Sequence, residues 1–132
     1  MAEHRIRLRG AWDWILVEDE AEVARRVNLP TRWPTGLSSG FRLLRRFGRP
    51  PFDPATESVR LELLDVPGLV SVRLNGREIG RDLTGVDNRS IPLTEPILSR
   101  NALILGIDLG AVEGLTPGEE WGSIALVIEP TV

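Results

Sequence analysis

The sequence predicts an all-β fold, an antiparallel β-sandwich of the jelly-roll type, and three observations carry this prediction. Short stretches of alternating apolar and polar residues recur along the chain. Glycine, proline, asparagine and aspartate separate these stretches, and no segment has the apolar spacing of a long amphipathic helix. A chain of 132 residues is long enough to bury one core, so we expect a single β-sandwich domain over residues 1–132.

The first half of the chain contains five candidate strands, which are residues 5–9, 12–17, 22–29, 41–48 and 58–65. Acidic residues ahead of Arg25 and Arg26 would also suit a short helix over residues 18–26, but we interpret this segment as a turn followed by a strand. The clearest alternation is in residues 58–65, where Val59, Leu61 and Leu63 point to one face. Such a period of two is typical of a half-buried strand.

A β-hairpin follows, because residues 69–74 alternate in the same way and end at Asn75-Gly76. Asn-Gly tolerates the positive φ angles of a two-residue type I′ turn. Residues 101–108 and 121–129 complete roughly eight or nine strands, the number expected of a β-sandwich. We expect loops at residues 30–40, 48–54, 81–90 and 110–120. The predicted core contains Val59, Leu61, Leu63, Val70, Val72, Leu74, Leu103, Leu105, Ile124, Leu126 and Ile128.

Composition argues against a metal site and against catalysis. The chain has no cysteine and one histidine, His4, so thiolate zinc sites, disulfides and cysteine nucleophiles are excluded. Asp82, Asp87 and Asn88 have oxygen ligands for calcium, but turn formation explains the same residues. Residues 36–40, Gly-Leu-Ser-Ser-Gly, match a nucleophile motif that requires a strand-to-helix turn and a nearby histidine, and neither is expected here. We therefore predict a protein that is not an enzyme and uses no cofactor.

Charge and hydropathy limit the partners. The net charge is −3, and the one arginine run, Arg42, Arg45, Arg46 and Arg49, is balanced by acidic residues elsewhere, so we expect no nucleic-acid partner. Residues 1–10 alternate arginine with apolar residues and lack the continuous apolar run of a leader or a membrane span. On this basis we expect a cytoplasmic protein with no membrane partner.

Several motifs occur in a fixed order along the chain. Residues 26–30, Arg-Val-Asn-Leu-Pro, precede Trp33, and residues 40–47 read Gly-Phe-Arg-Leu-Leu-Arg-Arg-Phe. Residues 70–76, Val-Ser-Val-Arg-Leu-Asn-Gly, close a hairpin, and Ile-Pro-Leu at 91–93 leads to Arg-Asn-Ala-Leu-Ile-Leu at 100–105. In this order the motifs resemble the N-terminal sugar-binding domain of glycoside hydrolase family 2, the group of β-galactosidases, β-glucuronidases and β-mannosidases.

The resemblance implies a galactose-binding-domain-like jelly roll that is not itself catalytic, because the catalytic acids of that family lie in a separate barrel domain. It leaves two functions open. One is a carbohydrate-binding module, and the other is a structural or protein-interaction domain that meets a protein partner or its own copy without binding sugar.

The four tryptophans decide where a sugar would bind. Trp12 and Trp14 share one face of a strand, which favours the core, and we expect Trp121 to plug the end of the sandwich. Trp33 is the tryptophan outside a predicted strand, so it can present a flat aromatic face to a sugar ring. The predicted ligand-binding residues, which combine this tryptophan with polar groups of two loops, are Arg32, Trp33, Asp87, Asn88 and Arg89.

Overall fold

The computed structural model describes residues 3–18, 21–32, 40–81, 89–94, 96–108 and 119–131. Within these ranges every regular element is a β-strand, and there are twelve of them. In chain order they are β1 His4–Arg7, β2 Trp12–Glu18, β3 Ala21–Val27, β4 Thr31–Arg32, β5 Gly40–Gly48, β6 Glu57–Leu64, β7 Leu69–Leu74, β8 Arg77–Arg81, β9 Arg89–Pro92, β10 Arg100–Asp108, β11 Glu120–Trp121 and β12 Ser123–Pro130.

The strands form two large antiparallel sheets and one small one. The four-stranded sheet has the order β1-β12-β6-β9, and the six-stranded sheet has the order β3-β2-β5-β10-β7-β8. Strands β4 and β11 pair with each other. Apolar side chains of both large sheets join one buried cluster, as in a sandwich. The predicted all-β, antiparallel β-sandwich is therefore confirmed, whereas jelly-roll connectivity and a single domain over residues 1–132 stay predictions.

The number of strands is larger than the eight or nine predicted, for two physical reasons. Gly122 has a positive φ of 87°, so the predicted last strand is broken into β11 and β12. Strands β4 and β9 begin inside or at the end of segments predicted as loops, and they are too short to show alternation in the sequence. The segment with the helix alternative contains strand β3, which confirms the strand interpretation.

Ten of the eleven predicted core residues are buried, and the prediction for Val70 is wrong. Strand β7 shifts register against β10, so that Ser71 lies opposite Gly106 but Leu69 lies opposite Ile107. Val70 is the extra residue of this β-bulge, which reverses the alternation and turns Leu69 into the core in its place. Gly106 belongs to the same feature, because a Cβ there would lie 2.5 Å from the Ser71 hydroxyl.

Strand β12 is buried on both faces. Ile124, Leu126 and Ile128 point into the sandwich, yet Val127 on the outer face is also fully buried. Val127 lies between Arg5 of β1 and Arg60 of β6. These arginines form ion pairs, Arg5 with Glu62 at 2.9 Å and Arg60 with Glu129 at 3.2 Å. Their aliphatic stems therefore cover the middle of the strand while their charged heads stay at the surface.

The hairpin predicted at Asn75-Gly76 is confirmed. Leu74 of β7 pairs with Arg77 of β8, and the two turn residues have φ angles of 53° and 83°. Two positive φ angles in a two-residue loop are the signature of a type I′ turn. The Asn75 side chain also supports the turn, because its Oδ1 accepts a hydrogen bond of 2.8 Å from the Ala102 amide.

We expect the substitution Gly76→Val to destabilise the protein by about 1 kcal/mol or more, because a β-branched residue resists positive φ. No atom lies within 4 Å of the position of the added Cβ, so the cost is backbone strain and not a clash. Thermal and urea denaturation measure it. Gly76→Asn is the matched control, since asparagine tolerates this conformation and should lose less. Equal stability of Gly76→Val and the unmodified protein would contradict the turn assignment.

Candidate functional site

One end of the sandwich is closed by the short β4–β11 sheet. Arg32 pairs with Glu120, and Thr31 pairs with Trp121. The chain reaches β4 through Leu29, whose amide donates a hydrogen bond of 2.6 Å to the Arg9 carbonyl. The small sheet is thus held to the segment that follows β1, and it brings distant parts of the chain together.

Gly122 allows this closure. Its amide donates a hydrogen bond of 2.8 Å to the Asp65 carbonyl at the end of β6. A Cβ at this position would lie 3.2 Å from Cδ2 of the buried Leu29, and the φ of 87° is unfavourable for any other residue. Glycine is therefore required here both by the backbone and by the close approach of Leu29.

An aromatic cluster fills the sandwich beneath the small sheet. Trp14 stacks on Phe41 with ring centroids 4.4 Å apart, and Trp121 meets the two rings edge-on at 5.7 and 6.0 Å. Trp12 is fully buried, and its Nε1 donates a hydrogen bond of 2.7 Å to the Leu8 carbonyl. The predicted core positions of Trp12, Trp14 and Trp121 are confirmed, so these three indole rings present no open face for a sugar ring.

A cleft of about 290 Å³ opens beside the small sheet, and we call it the β4–β11 cleft. Its polar lining is made of Arg7, Arg9, Asp65, Glu120 and Ser123, and the ring of Pro30 lies among them. Guanidinium groups donate hydrogen bonds and carboxylates accept them. A sugar hydroxyl both accepts and donates, so this lining can pair with it in either direction. The cleft is therefore a small polar cavity next to a packed aromatic cluster.

Two of the five predicted site residues lie within the described ranges. Arg32 is exposed on β4, opposite Glu120 of the cleft. Arg89 on β9 lies opposite Leu63, which in turn lies opposite Ile124 of the cleft wall. The backbones of Arg89 and Ile124 are therefore two strand spacings apart, which is roughly 10 Å. The Nε of Arg89 is buried and has no hydrogen-bond partner. Trp33, Asp87 and Asn88 lie outside the described residues, and their assignment to the site stays a prediction.

Sequence reasoning missed the cleft residues Arg7, Arg9, Asp65 and Glu120. They come from the segment around β1, the end of β6 and strand β11, and no local motif connects these parts of the chain. The one available signal was Gly122 next to Trp121, since a glycine inside an apolar strand pattern indicates a break or a close backbone approach.

The predicted arginine run does not form one continuous basic face. Arg49 donates a hydrogen bond of 3.0 Å to the Ile97 carbonyl and lies over the ring of Phe52. Arg45 donates to the Arg46 carbonyl, and burial together with the charge of Arg26 lowers its pKa. Arg42 and Arg46 are exposed on β5.

The other residues considered for catalysis or metal binding lie only partly within the described ranges. His4 is exposed on the edge strand β1, opposite Ile128. Residues 36–39 of the serine motif, together with Asp82, Asp87 and Asn88, lie outside the described ranges. The described residues contain no group of three or more histidine, aspartate and glutamate side chains that could hold a metal ion. In the same part of the chain, no helix is long and apolar enough to cross a membrane.

The fold and the cleft define an antiparallel β-sandwich module with a polar cleft at one end, and solved glycosidases contain the same fold. An FMN-binding β-glucuronidase from Facaelibacterium prausnitzii L2-6 is 19% identical, with a TM-score of 0.76 over 97% of this chain and 23% of that one. A GH2 β-galacturonidase from Eisenbergiella tayi bound to galacturonate is 16% identical, with a TM-score of 0.67 over 96% and 24%. A β-glucuronidase from uncultured Clostridium sp. is 16% identical, with a TM-score of 0.72 over 98% and 30%.

The chain thus spans about a quarter of the length of these solved structures. No protein-family model and no curated protein sequence matches it. At these identities the similarity concerns the fold, and at that level the predicted resemblance to enzymes of glycoside hydrolase family 2 is confirmed.

Proposed function

We propose that this chain is a non-catalytic, single-domain module of the kind that family 2 glycoside hydrolases carry, and that it binds carbohydrate at the β4–β11 cleft. The observation that carries the proposal is the match in fold. Nearly the whole chain superposes on about a quarter of the length of each of three enzymes whose names state that they act on sugars. The predicted cytoplasmic location, without nucleic-acid or membrane partners, remains part of the proposal.

The fold supports a non-catalytic function for this sandwich. The resemblance assigns the catalytic acids of these enzymes to a barrel domain of about 250 residues, whereas the described strands form two large packed antiparallel sheets.

The chemistry of the cleft supports a sugar ligand. A sugar ring has an apolar C–H face and a rim of hydroxyl groups, so its site combines an apolar surface, for which an aromatic ring is well suited, with several polar groups. Arg32 and the charged lining of the β4–β11 cleft supply the polar groups. Trp12, Trp14 and Trp121 are buried in the core. Trp33, which follows Arg32 in the sequence, is therefore the tryptophan that we assign to the aromatic surface of the site. Asp87, Asn88 and Arg89 complete the proposed set.

We expect Trp33→Ala to abolish binding of a glycan identified on an array, with the melting temperature nearly unchanged. A Trp33 that belongs to the core would instead lower the free energy of unfolding by about 3–5 kcal/mol. Titration calorimetry and thermal denaturation of the same samples separate the two results. Leu98→Ala is the control, because Leu98 is 51% exposed and lies at the opposite end of the sandwich.

Two outcomes would contradict this function. One is a Leu98→Ala variant that loses binding as completely as Trp33→Ala. The other is a large loss of stability in Trp33→Ala together with no glycan detected for the unmodified protein. The second outcome would favour the protein-interaction function.

A specific observation supports that second function, a protein-interaction domain without sugar binding. Leu44 and Ile104 lie opposite each other in the six-stranded sheet, between buried residues that point inward, so they share its outer face. A pair of apolar side chains on an outer sheet face suits contact with another protein. Sedimentation equilibrium of the unmodified protein and of Ile104→Glu tests it, and self-association that the substitution abolishes would support this function.

A further inference from the structure

A second pocket lies at the opposite end of the sandwich from the β4–β11 cleft, and we call it the Arg46–Arg100 pocket. Its volume is about 620 Å³, and Arg46, Gly48, Asn75, Ser99, Arg100 and Ala102 line it. Phe41 at one end of β5 contacts Trp121 near the β4–β11 cleft, whereas Gly48 ends the strand at this pocket. The seven residue-to-residue steps from Phe41 to Gly48 span roughly 23 Å at the usual rise of a strand. The two sites are therefore separate.

The lining of the pocket carries two positive charges, from Arg46 and Arg100. Arg46 lies opposite Ala102, and Arg100 lies opposite Gly48, so the two arginines are diagonal neighbours on adjacent strands. Such neighbours have their Cβ atoms roughly 7 Å apart, within reach of one small anion. Both side chains are exposed, neither forms an ion pair with another residue that the structure describes, and the lining contains no carboxylate. This local charge stands out in a chain with a net charge of −3.

The floor of the pocket is small, apolar and firmly held. Between the two arginines lie Gly48 and Ala102, which leave room above the sheet. Beneath them lies Asn101, which is 3% exposed. Its Nδ2 donates a hydrogen bond of 2.9 Å to the Leu98 carbonyl, and its Oδ1 accepts bonds of 2.9 Å from the Leu98 backbone amide and 3.0 Å from the Asn75 side-chain amide. Because these hydrogen bonds tie β10 to the hairpin, the floor is rigid before any ligand arrives.

We propose that the Arg46–Arg100 pocket binds an anionic sugar, a ring that carries a carboxylate or a sulfate group. The two guanidinium groups hold the anion through charge-assisted hydrogen bonds, and the apolar floor of Gly48 and Ala102 receives the C–H face of the ring. The Ser99 hydroxyl, at the edge, hydrogen-bonds a ring hydroxyl. This site does not depend on the proposed function of the β4–β11 cleft, because it uses other residues at the other end of the fold.

A single-stranded nucleic acid fits the pocket less well. Binding of that kind combines a track of positive charges with exposed aromatic rings on which bases stack. The one aromatic residue of the lining, Phe47, is only 9% exposed, and Arg45 and Arg49 of the same run are engaged elsewhere. An oligonucleotide is therefore a competitor in the test and not the proposed ligand.

Titration calorimetry at low ionic strength tests the proposal with five probes. They are a galacturonic acid trimer, a sulfated galactose oligomer, a neutral galactose trimer, tripolyphosphate and an oligothymidylate. We expect one or both acidic sugars to bind, and the neutral trimer and tripolyphosphate to bind at least tenfold more weakly. The carboxylated and sulfated probes identify the anionic group. Binding of neither acidic sugar, or equal binding of tripolyphosphate or oligothymidylate, would overturn the proposal.

Variants locate the site. Arg46→Gln with Arg100→Gln should weaken acidic-sugar binding at least tenfold, since each charge-assisted hydrogen bond contributes roughly that factor. Ala102→Leu should do the same without a change in charge, because it fills the floor. Arg73→Gln is the matched control, an exposed arginine of the same sheet face outside the lining. Equal loss in Arg73→Gln, or full binding by Ala102→Leu with its native melting temperature, would refute the assignment. Retained binding in Trp33→Ala distinguishes this site from the β4–β11 cleft.

Discussion

Replacing Trp12 with alanine is expected to lower the free energy of unfolding by about 3–5 kcal/mol, the usual cost of truncating a buried aromatic side chain. Trp12 is fully buried in the six-stranded sheet, between Val27 of β3 and Arg45 of β5. The truncation leaves a cavity and also removes the hydrogen bond of 2.7 Å from its Nε1 to the Leu8 carbonyl. Urea denaturation followed by circular dichroism measures the loss.

Two further variants separate the contributions at Trp12. Trp12→Phe keeps most of the ring but leaves the Leu8 carbonyl without its donor, so its cost should be smaller, about 1–3 kcal/mol. Leu98→Ala removes a side chain that is 51% exposed and should change stability by less than about 0.5 kcal/mol. A Trp12→Ala variant as stable as Leu98→Ala would show that Trp12 does not belong to the core.

The second large effect is expected at Asn101, the one polar residue among the buried side chains of the described ranges. Its amide group donates to the Leu98 and Phe47 carbonyls and accepts from the Leu98 amide and from Asn75. Alanine would leave several of these buried partners unsatisfied, at about 1–3 kcal/mol each. We therefore expect Asn101→Ala to lower stability by roughly 3 kcal/mol or more in urea denaturation.

A double-mutant cycle with Asn75→Ala tests this explanation. The two side chains share a hydrogen bond of 3.0 Å, so their substitutions should couple by about 0.5 kcal/mol or more. Additive losses would mean that the two asparagines act independently, and a stable Asn101→Ala would mean that the network contributes little.

Much of the fold could be predicted because strands have a period of two. The alternation in residues 58–65 is visible in the sequence, and the structure buries Val59, Leu61 and Leu63 as expected. Val70 was misplaced because a bulge depends on the register between β7 and β10, which local alternation does not contain. The split at Gly122 was missed for a similar reason, since its positive φ serves the close packing of Leu29.

The candidate sites were harder to predict than the fold. Period two placed Trp12 and Trp14 in the core, which the structure confirms, and this narrowed the possible sugar platforms to Trp33. By contrast, the polar groups of the β4–β11 cleft meet only after the chain has folded. The Arg46–Arg100 pocket likewise depends on the antiparallel pairing of β5 with β10, because 54 positions separate the two arginines in the sequence.

The pairing of β1 with β12 has a consequence for how the protein is made. His4 lies opposite Ile128, so the four-stranded sheet joins the two ends of the described chain, while the six-stranded sheet is complete at residue 108. During synthesis, strands β6 and β9 can cover only part of the inner face of the six-stranded sheet, and the rest remains uncovered until strand β12 leaves the ribosome. Folds dominated by such distant pairings form slowly, and exposed apolar surface in the meantime promotes aggregation. A nascent chain that stops before β12 should consequently be a substrate for chaperones.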